Sequence, residues 1–285
     1  MRLTKTLIAS SLLLLSIIII LFLYYSKENV KSLKIIRIGY AVEAPYAFVE
    51  KNGTITGESP EVAKVIAHQL GYDSIEWVQT EFHSLISGLL TNQFDVIAAG
   101  MFITPYRATL VNFSEPTFHV QQALLVPIGN PAKIHSYADL IKNVNLKVAV
   151  IEKSVEGAYL KRVELNENRL IYVPDAISGK AAVENGIADC LAISSPTIQW
   201  MALHNNLGKT EMAIPFKQEK YIGNHLTGYG AFAFRKSDKR LCDDWNAKLK
   251  AYIGSPNHLK LISKFGFNKS ELPNNVTTNE IIPRQ

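Results

Sequence analysis

Cysteine is scarce in this chain. Only Cys190 and Cys242 occur among the 285 residues, and their spacing matches neither a disulfide framework nor a zinc-binding motif. Cys190 lies in an apolar run, and Cys242 lies on a predicted helix. The sequence therefore favours two buried free thiols over a disulfide, and it predicts no metal site.

The chain also lacks a strong net charge. The formal charge is +5, and Arg2, Lys5, Lys27 and Glu28 supply +2 of it, three positive against one negative, which leaves +3 for the rest. So small an excess argues against nucleic-acid binding. Internal repeats and low-complexity tracts are missing too, and 47% of the residues are hydrophobic, enough for one large or two modest cores.

The N-terminus has the composition of an export signal. Arg2 and Lys5 precede an apolar stretch over residues 7–25 that contains no charged side chain. About 19 apolar residues can span a bilayer as a helix, and no Ala-x-Ala cleavage pattern follows them. No cysteine is present there for acylation. We therefore expect residues 1–26 to be a signal peptide or an uncleaved membrane anchor, with the anchor favoured.

Strand and helix patterns alternate from residue 34 onward. Residues 35–39 read as a strand and 60–70 as a helix with one apolar face, and Asn52-Gly53 between them predicts a hairpin turn. Further predicted elements are a strand at 74–78, a helix at 82–91 and a strand at 96–99. This order predicts an α/β fold with a largely parallel sheet.

A second α/β series follows the break at Gly129-Asn130-Pro131. Its predicted helices are at 136–141, 155–163, 176–185 and 196–205, and its strands at 147–151, 169–173 and 189–193. An apolar strand at 229–234 and helices at 241–253 and 256–265 complete the pattern, and a polar tail after Pro273 is expected to be loose. Two doubly wound lobes would define a cleft between them, beyond the carboxyl ends of their strands.

Several motifs resemble those of a known family, the bacterial extracellular solute-binding proteins of the polar amino-acid type (family 3), which serve ABC importers. They are Ile36-Arg37-Ile38-Gly39, Gly57-Glu58-Ser59-Pro60-Glu61-Val62-Ala63, Phe94-Asp95-Val96-Ile97-Ala98-Ala99-Gly100, Thr104-Pro105-Tyr106-Arg107, Val111-Asn112-Phe113-Ser114-Glu115-Pro116 and Tyr229-Gly230-Ala231-Phe232.

The resemblance implies the type II periplasmic-binding-protein fold, with a hinge and an interlobe cleft. On this basis we expect a large lobe from residues 34–127 and 227–273, a small lobe from 128–226 and a loose tail at 274–285. It also implies an extracytoplasmic monomer that delivers its ligand to an ABC permease in the inner membrane, with no cofactor.

Arg107 carries the clearest functional implication of the resemblance. An arginine at this place in the family binds the ligand carboxylate, and its guanidinium can do so through two parallel hydrogen bonds. The alternative from the residues alone is a surface arginine paired with Glu115 or capping a helix. Gly100, Thr104 and, across the cleft, Ser154 and Val155 at a helix start complete the expected contacts.

Three positions depart from the amino-acid-binding pattern. Phe102 replaces a hydroxyl residue, Ser194 replaces the aspartate that holds an α-ammonium, and Glu43 replaces an aromatic residue. The usual partner of a primary ammonium is therefore missing.

An aromatic set takes its place: Tyr46, Phe82 and Phe102. Aromatic faces bind weakly hydrated cations through cation–π attraction, and Glu43 could accept hydrogen bonds from ring N–H groups. This set resembles that of ectoine-binding proteins, whose ligand is a cyclic amidinium carboxylate, so an ectoine-like zwitterion is favoured over a polar amino acid. The alternative is that Phe82 and Phe102 are core residues.

Two other function classes stay open. One is an enzyme related to the dehydratases of this fold, in which Glu43, Glu156 or His119 would act as an acid or base. The other is an anchored ligand-sensing module. No paired catalytic groups are apparent, so we expect no catalytic residues.

Overall fold

A computed structural model describes residues 14–20, 33–204, 206–218 and 228–282. The chain divides into an N-terminal segment, Met1–Lys34, and a folded unit, Ile35–Gln285. Residues 14–20 are helical, and the rest of the predicted export signal at 1–26 lies outside the described residues. Within the described ranges, no helix combines the length and apolarity needed to cross a membrane.

The folded unit begins with the first part of the large lobe. It contains strands β1 (Ile35–Tyr40), β2 (Phe48–Val49), β3 (Ile55–Thr56), β4 (Ser74–Gln79), β5 (Val96–Ile97), β6 (Val111–Phe113) and β7 (Phe118–Val120), and helices α1 (Glu58–Gln69), α2 (Leu85–Leu90) and α3 (Pro105–Leu110). The predicted hairpin is confirmed as β2 and β3, which pair antiparallel. The predicted helix at 82–91 begins as a 3₁₀ turn, Phe82–Ser84, before α2.

The small lobe follows. It contains β8 (Gln122–Pro127), β9 (Val148–Ile151), β10 (Leu170–Val173), β11 (Cys190–Ser194) and β12 (Thr210–Met212), and helices α4 (Tyr137–Lys142), α5 (Val155–Arg162), α6 (Ala176–Glu184) and α7 (Ser195–Leu203). The chain then returns to the large lobe through β13 (Gly228–Gly230), β14 (Ala233–Arg235), α8 (Lys239–Tyr252), α9 (Pro256–Ile262) and α10 (Thr278–Ile281).

The large-lobe sheet has the order β4-β1-β5-β14-β6. β1 runs parallel to both of its neighbours, whereas β14 pairs antiparallel with β5 and β6. Ile36 and Ile38 of β1 pack into a core on one face, and Leu85 and Leu89 of α2 pack into a second core on the other. Because apolar residues cover both faces, the central strands are apolar runs.

The small-lobe sheet has the order β10-β9-β11-β8-β12, with cores on both faces. The two sheet-containing lobes confirm the predicted α/β fold. One boundary needs correction: residues 122–127 were expected in the large lobe, but β8 pairs antiparallel with β11 and β12 in the small-lobe sheet. We placed the lobe boundary at the turn Gly129-Asn130-Pro131, but the hydrogen bonds of β8 to β11 and β12 place this strand in the small lobe.

The two crossings between the lobes form a short ribbon. β7 pairs antiparallel with β13 through Phe118, His119 and Val120. The single strand predicted at 229–234 is therefore wrong: it is divided into β13 in this ribbon and β14 in the large-lobe sheet. The polypeptide changes partners at Ala231 and Phe232, a break that continuous apolarity does not reveal.

The polar tail docks onto the large lobe, contrary to the expectation of a loose segment. Thr277 and Glu280 form a capping box for α10, and the Thr278 amide donates to Oε2 of Glu115 at 2.8 Å. Ile281 is buried in the second large-lobe core. Capping side chains and one apolar anchor thus hold a segment whose overall composition is polar; residues 283–285 lie outside the described part.

Both thiols match the expectation from spacing. Cys190 is buried in β11 of the small lobe and Cys242 in α8 of the large lobe, and both are free.

Candidate functional site

A small pocket, partly open to solvent, lies between the lobes. It is lined by Glu43, Tyr46, Phe82, Ala99, Gly100, Phe102, Arg107, Ile151, Ser154, Val155, Glu156, Ile193 and Ser194. Most of these residues lie at or just beyond the carboxyl ends of β1, β5, β9 and β11, where an α/β fold places its ligand sites. The structure therefore brings together nine of the ten predicted residues; Thr104 does not line the pocket.

Glu43 and Tyr46 are positioned by a tight turn after β1. The amides of Tyr46 and Ala47 both donate to the Glu43 carbonyl, at 2.9 and 3.0 Å. The Glu43 carboxylate accepts a hydrogen bond from the Thr197 hydroxyl at 2.8 Å. Burial raises the pKa of Glu43 to about 7, against the opposing effect of that hydrogen bond.

Gly100 is required because the Tyr46 ring lies against it. Its φ is +62°, and a Cβ at this position would come within 2.6 Å of Cγ of Tyr46. Its amide donates to the Ser59 hydroxyl at 3.0 Å. Glycine here allows the ring to pack against the backbone at the edge of the pocket.

Arg107 is buried, although it lies on a short helix. The Thr104 hydroxyl caps α3 by accepting from the Arg107 amide at 3.1 Å, and Pro105 occupies the first turn. The hydroxyl of Thr104 thus helps to position Arg107, while Thr104 itself does not line the pocket. The alternative partner, Glu115, instead accepts from Thr278.

The guanidinium of Arg107 crosses the cleft. It donates to the Phe102 carbonyl at 2.8 Å and, in the other lobe, to the Lys153 carbonyl at 2.9 Å. Its centre lies 5.3 Å from the Phe82 ring centroid, within cation–π range. Burial lowers the pKa of Arg107 to about 10, so it stays charged at neutral pH. These two bonds use two of its five N–H groups, and the others can serve a carboxylate.

The aromatic residues have two roles at once. Tyr46 and Phe102 meet edge to face, with centroids 6.3 Å apart, and both line the pocket. They also belong to the large-lobe core, where Tyr46 stacks on Phe118 at 5.2 Å. Phe82 packs against cores of both lobes. Pocket lining and core packing, posed as alternatives for Phe82 and Phe102, are thus both true.

A chain of hydroxyl groups joins the lobes. The Tyr46 hydroxyl donates to Oγ of Ser194 at 2.9 Å, and Ser194 and Thr197 lie 3.1 Å apart. Since Thr197 donates its proton to Glu43, Ser194 must donate to Thr197. The chain runs in one direction, from Tyr46 of the large lobe through Ser194 and Thr197 of the small lobe to the Glu43 carboxylate of the large lobe.

Thr197 and Glu156 are the residues that sequence reasoning placed least well. Thr197 was not singled out, although Ser195-Pro196-Thr197 begins a helix directly after β11. Glu156 was considered only as a possible acid or base, yet it is a buried pocket residue of α5. His119 does not line the pocket and stacks on Tyr229 at 5.5 Å.

Ser154 caps α5 and lines the pocket. Its hydroxyl accepts a hydrogen bond from the Gly157 amide at 3.2 Å, so Ser154 is both a helix cap and a pocket residue. The N-terminus of α5 therefore borders the pocket, and a helix N-terminus is a favourable setting for an anionic group.

Comparison with known proteins agrees with this geometry. The family model of bacterial extracellular solute-binding proteins, family 3, matches residues 36–269. A probable amino-acid ABC transporter periplasmic-binding protein of Sinorhizobium fredii is 31% identical over 242 residues, covering 84% of this chain and 79% of the relative.

Two solved structures share the fold. EhuB in complex with hydroxyectoine has a TM-score of 0.80 at 26% identity, covering 88% of this chain and 95% of that one. An ancestral amino acid-binding protein, described as a precursor of cyclohexadienyl dehydratase, has a TM-score of 0.70 at 29% identity, covering 81% and 95%. With two lobes, an interlobe pocket and a family match over most of its length, the chain belongs to family 3 of the bacterial extracellular solute-binding proteins.

Proposed function

We propose that this solute-binding component of an ABC importer captures a small, ectoine-like zwitterion by closing its lobes, and then presents it to the permease. The observation that carries the proposal is the buried Arg107, whose unused N–H groups lie in a pocket walled by aromatic rings and Glu43. A small molecule that carries both a carboxylate and a delocalised cation matches this pocket, with the carboxylate at Arg107 and the cation among the aromatic rings and Glu43.

The carboxylate end of the ligand would bind Arg107. A buried guanidinium that lacks a carboxylate partner gains most from a bidentate anion, because water competes weakly for it there. The N-terminal turn of α5, with Ser154 and Val155, supports the same negative charge from the small lobe.

The cationic end would lie among Tyr46, Phe82 and Phe102, with Glu43 as its charged acceptor. Ser194 stands where an aspartate would hold a primary ammonium, and its hydroxyl is already engaged with Tyr46. A cyclic amidinium needs few hydrogen bonds and suits aromatic faces. That EhuB was solved with hydroxyectoine supports this ligand class.

A polar amino acid is the second candidate, favoured by the amino-acid transporter relative. Catalysis is not proposed, although one structural neighbour is described as the precursor of a dehydratase. We further propose that the protein acts outside the cytoplasm as a monomer, held at the inner membrane by residues 1–26.

Calorimetric titration of the protein tests the ligand class. Ectoine and hydroxyectoine should bind tightly, and betaines, arginine, histidine and glutamine should bind more weakly. Tight binding of an α-amino acid with no response to ectoine would overturn the aromatic-pocket assignment.

Arg107→Ala tests the central contact. Loss of a buried charged partner should weaken ectoine binding by about 2–5 kcal/mol, and Arg107→Lys should restore little because lysine lacks the bidentate geometry. The matched control is Arg240→Ala, a change at a side chain that is 97% exposed, which should leave affinity unaltered. Undiminished binding in Arg107→Ala would remove Arg107 from the site.

A further inference from the structure

The pocket holds more negative than positive charge. Arg107 supplies one positive group, while Glu43 and Glu156 supply two carboxyl groups. When all three are ionised, the site carries a net charge of −1. A zwitterion adds no net charge, so a closed complex with a zwitterion would keep this excess inside a cleft shielded from water.

Glu156 is the carboxyl group that a zwitterion leaves without a partner. The ligand carboxylate pairs with Arg107, and the ligand cation pairs with Glu43, the half-buried acceptor beside the aromatic rings. Glu156 is only 6% exposed. Hydrogen bonds from its own amide and from the Ser154 and Gln122 side chains favour its charged form, yet burial outweighs them and raises its pKa.

The surrounding charges do not supply the missing positive group. Arg107 attracts Glu156 electrostatically but is committed to the ligand carboxylate. Asp175 at the start of α6 and Glu58 behind Tyr46 are further acidic groups. The ammonium of Lys153, an exposed residue, donates a hydrogen bond to the His83 carbonyl at 3.2 Å. A buried charge without a partner is costly and is commonly neutralised by a proton.

We propose that Glu156 sets the net charge that the closed site accepts, so that capture of a zwitterion is accompanied by uptake of one proton onto Glu156. This inference rests on the proposed function, because it takes the ligand to be a zwitterion. It makes Glu156 a specificity-determining residue: as pH rises, the site discriminates increasingly against ligands that bring no net positive charge.

Titration calorimetry of the full chain with ectoine, in two buffers of different ionisation enthalpy, measures the proton count. We expect uptake approaching one proton per ectoine above pH 7, where Glu43 is already ionised, with affinity falling about tenfold per pH unit on the alkaline side. In Glu156→Gln, which places a neutral side chain of similar shape there, the uptake should vanish, and the fall in affinity on the alkaline side should vanish with it. Glu152→Gln, an exposed carboxylate on the same loop, is the control and should retain the uptake.

The possible results separate the two proposals. If no zwitterion binds at any pH, the proposed function fails and takes this inference with it. If ectoine binds the unaltered protein without proton uptake, the proposed function stands and the role of Glu156 is refuted. Uptake that persists in Glu156→Gln would likewise remove Glu156 as the acceptor and point to Glu43. Even if Glu156→Gln fails to fold, a proton count near zero in the unaltered protein refutes the role of Glu156.

Discussion

Trp200 is predicted to hold the cleft closed before any ligand contributes. It lies on α7 of the small lobe, and its ring packs against Phe48 and Phe265 of the large lobe, with centroids 5.2 and 6.4 Å away. Aromatic pairs at such distances contribute about 0.5–1.5 kcal/mol each. Trp200→Ala should therefore shift the balance from closed to open by about 1–3 kcal/mol, a factor of roughly 5–150.

The shift can be measured as a distance between the lobes. Spin labels at Lys51→Cys on the β2–β3 hairpin and Lys142→Cys on α4 would report it, because Cys190 and Cys242 are buried and should not be labelled. Without ligand, Trp200→Ala should lengthen the dominant distance. Its ligand affinity should fall by up to the same factor, because the closed fraction falls and binding then has to drive closure.

The control for Trp200 is Trp77→Ala. Trp77 packs against Tyr40 within the large lobe, with centroids 6.0 Å apart, so its loss should lower stability without changing the interlobe distance. Equal distances and affinities in Trp200→Ala and the unaltered protein would refute the reasoning. So would an equal opening in both tryptophan variants.

Two further predictions concern stability. Gly100→Ala should lower the free energy of unfolding by about 1–2 kcal/mol because of its positive φ alone, and by more because the new Cβ displaces Tyr46. The control is Gly53→Ala, at φ +84° with open space around it. Denaturant titration of this control measures the backbone cost by itself. An equal loss in both variants, with ligand affinity kept, would contradict the role given to Gly100. Burial lowers the pKa of His258 to about 4, below its value in the unfolded chain. Between pH 6.5 and 4, therefore, the imidazole of His258 takes up a proton only in the unfolded chain. Stability is lost as the pH falls through that window. In urea titrations at pH 7.5 and 5, His258→Gln should lose less stability on acidification than the unaltered protein, whereas the exposed control His68→Gln should match it.

The alternating strands and helices were predictable because burial on both faces of each sheet forces apolar runs, as in β9 and β11, between capped amphipathic helices. The errors occur where tertiary pairing overrides local pattern. The sequence around β8 predicts a continuation of the large lobe, but β8 pairs with a strand of the small-lobe sheet. Residues 229–234 are predicted as one strand, but they contribute to two different sheets. Neither choice of partner is encoded within a short window.

The pocket residues were predictable for a similar reason: strand ends and helix starts converge in this fold, so Glu43, Arg107 and Ser154 follow from their places in the chain. Thr104 does not line the pocket, and the sequence does not show whether a capping hydroxyl at a helix start also faces the cleft, as that of Ser154 does. Glu156 and Thr197 depend on which side of a helix meets the other lobe. That relation exists only after the lobes close.

Selectivity in the closed cleft follows from which polar groups are still available to a ligand. Tyr46, Ser194 and Thr197 satisfy one another along a chain that ends on Glu43, so a ligand gains little by offering them new hydrogen bonds. Arg107 has unused donors, and a second hydrogen-bonding position is still open at Glu43. Groups already paired without ligand cannot distinguish one ligand from another, whereas buried groups that still lack partners penalise any ligand that fails to pair them. If the proposed function holds, a carboxylate for Arg107 and a cation for Glu43 are therefore the features that this site selects.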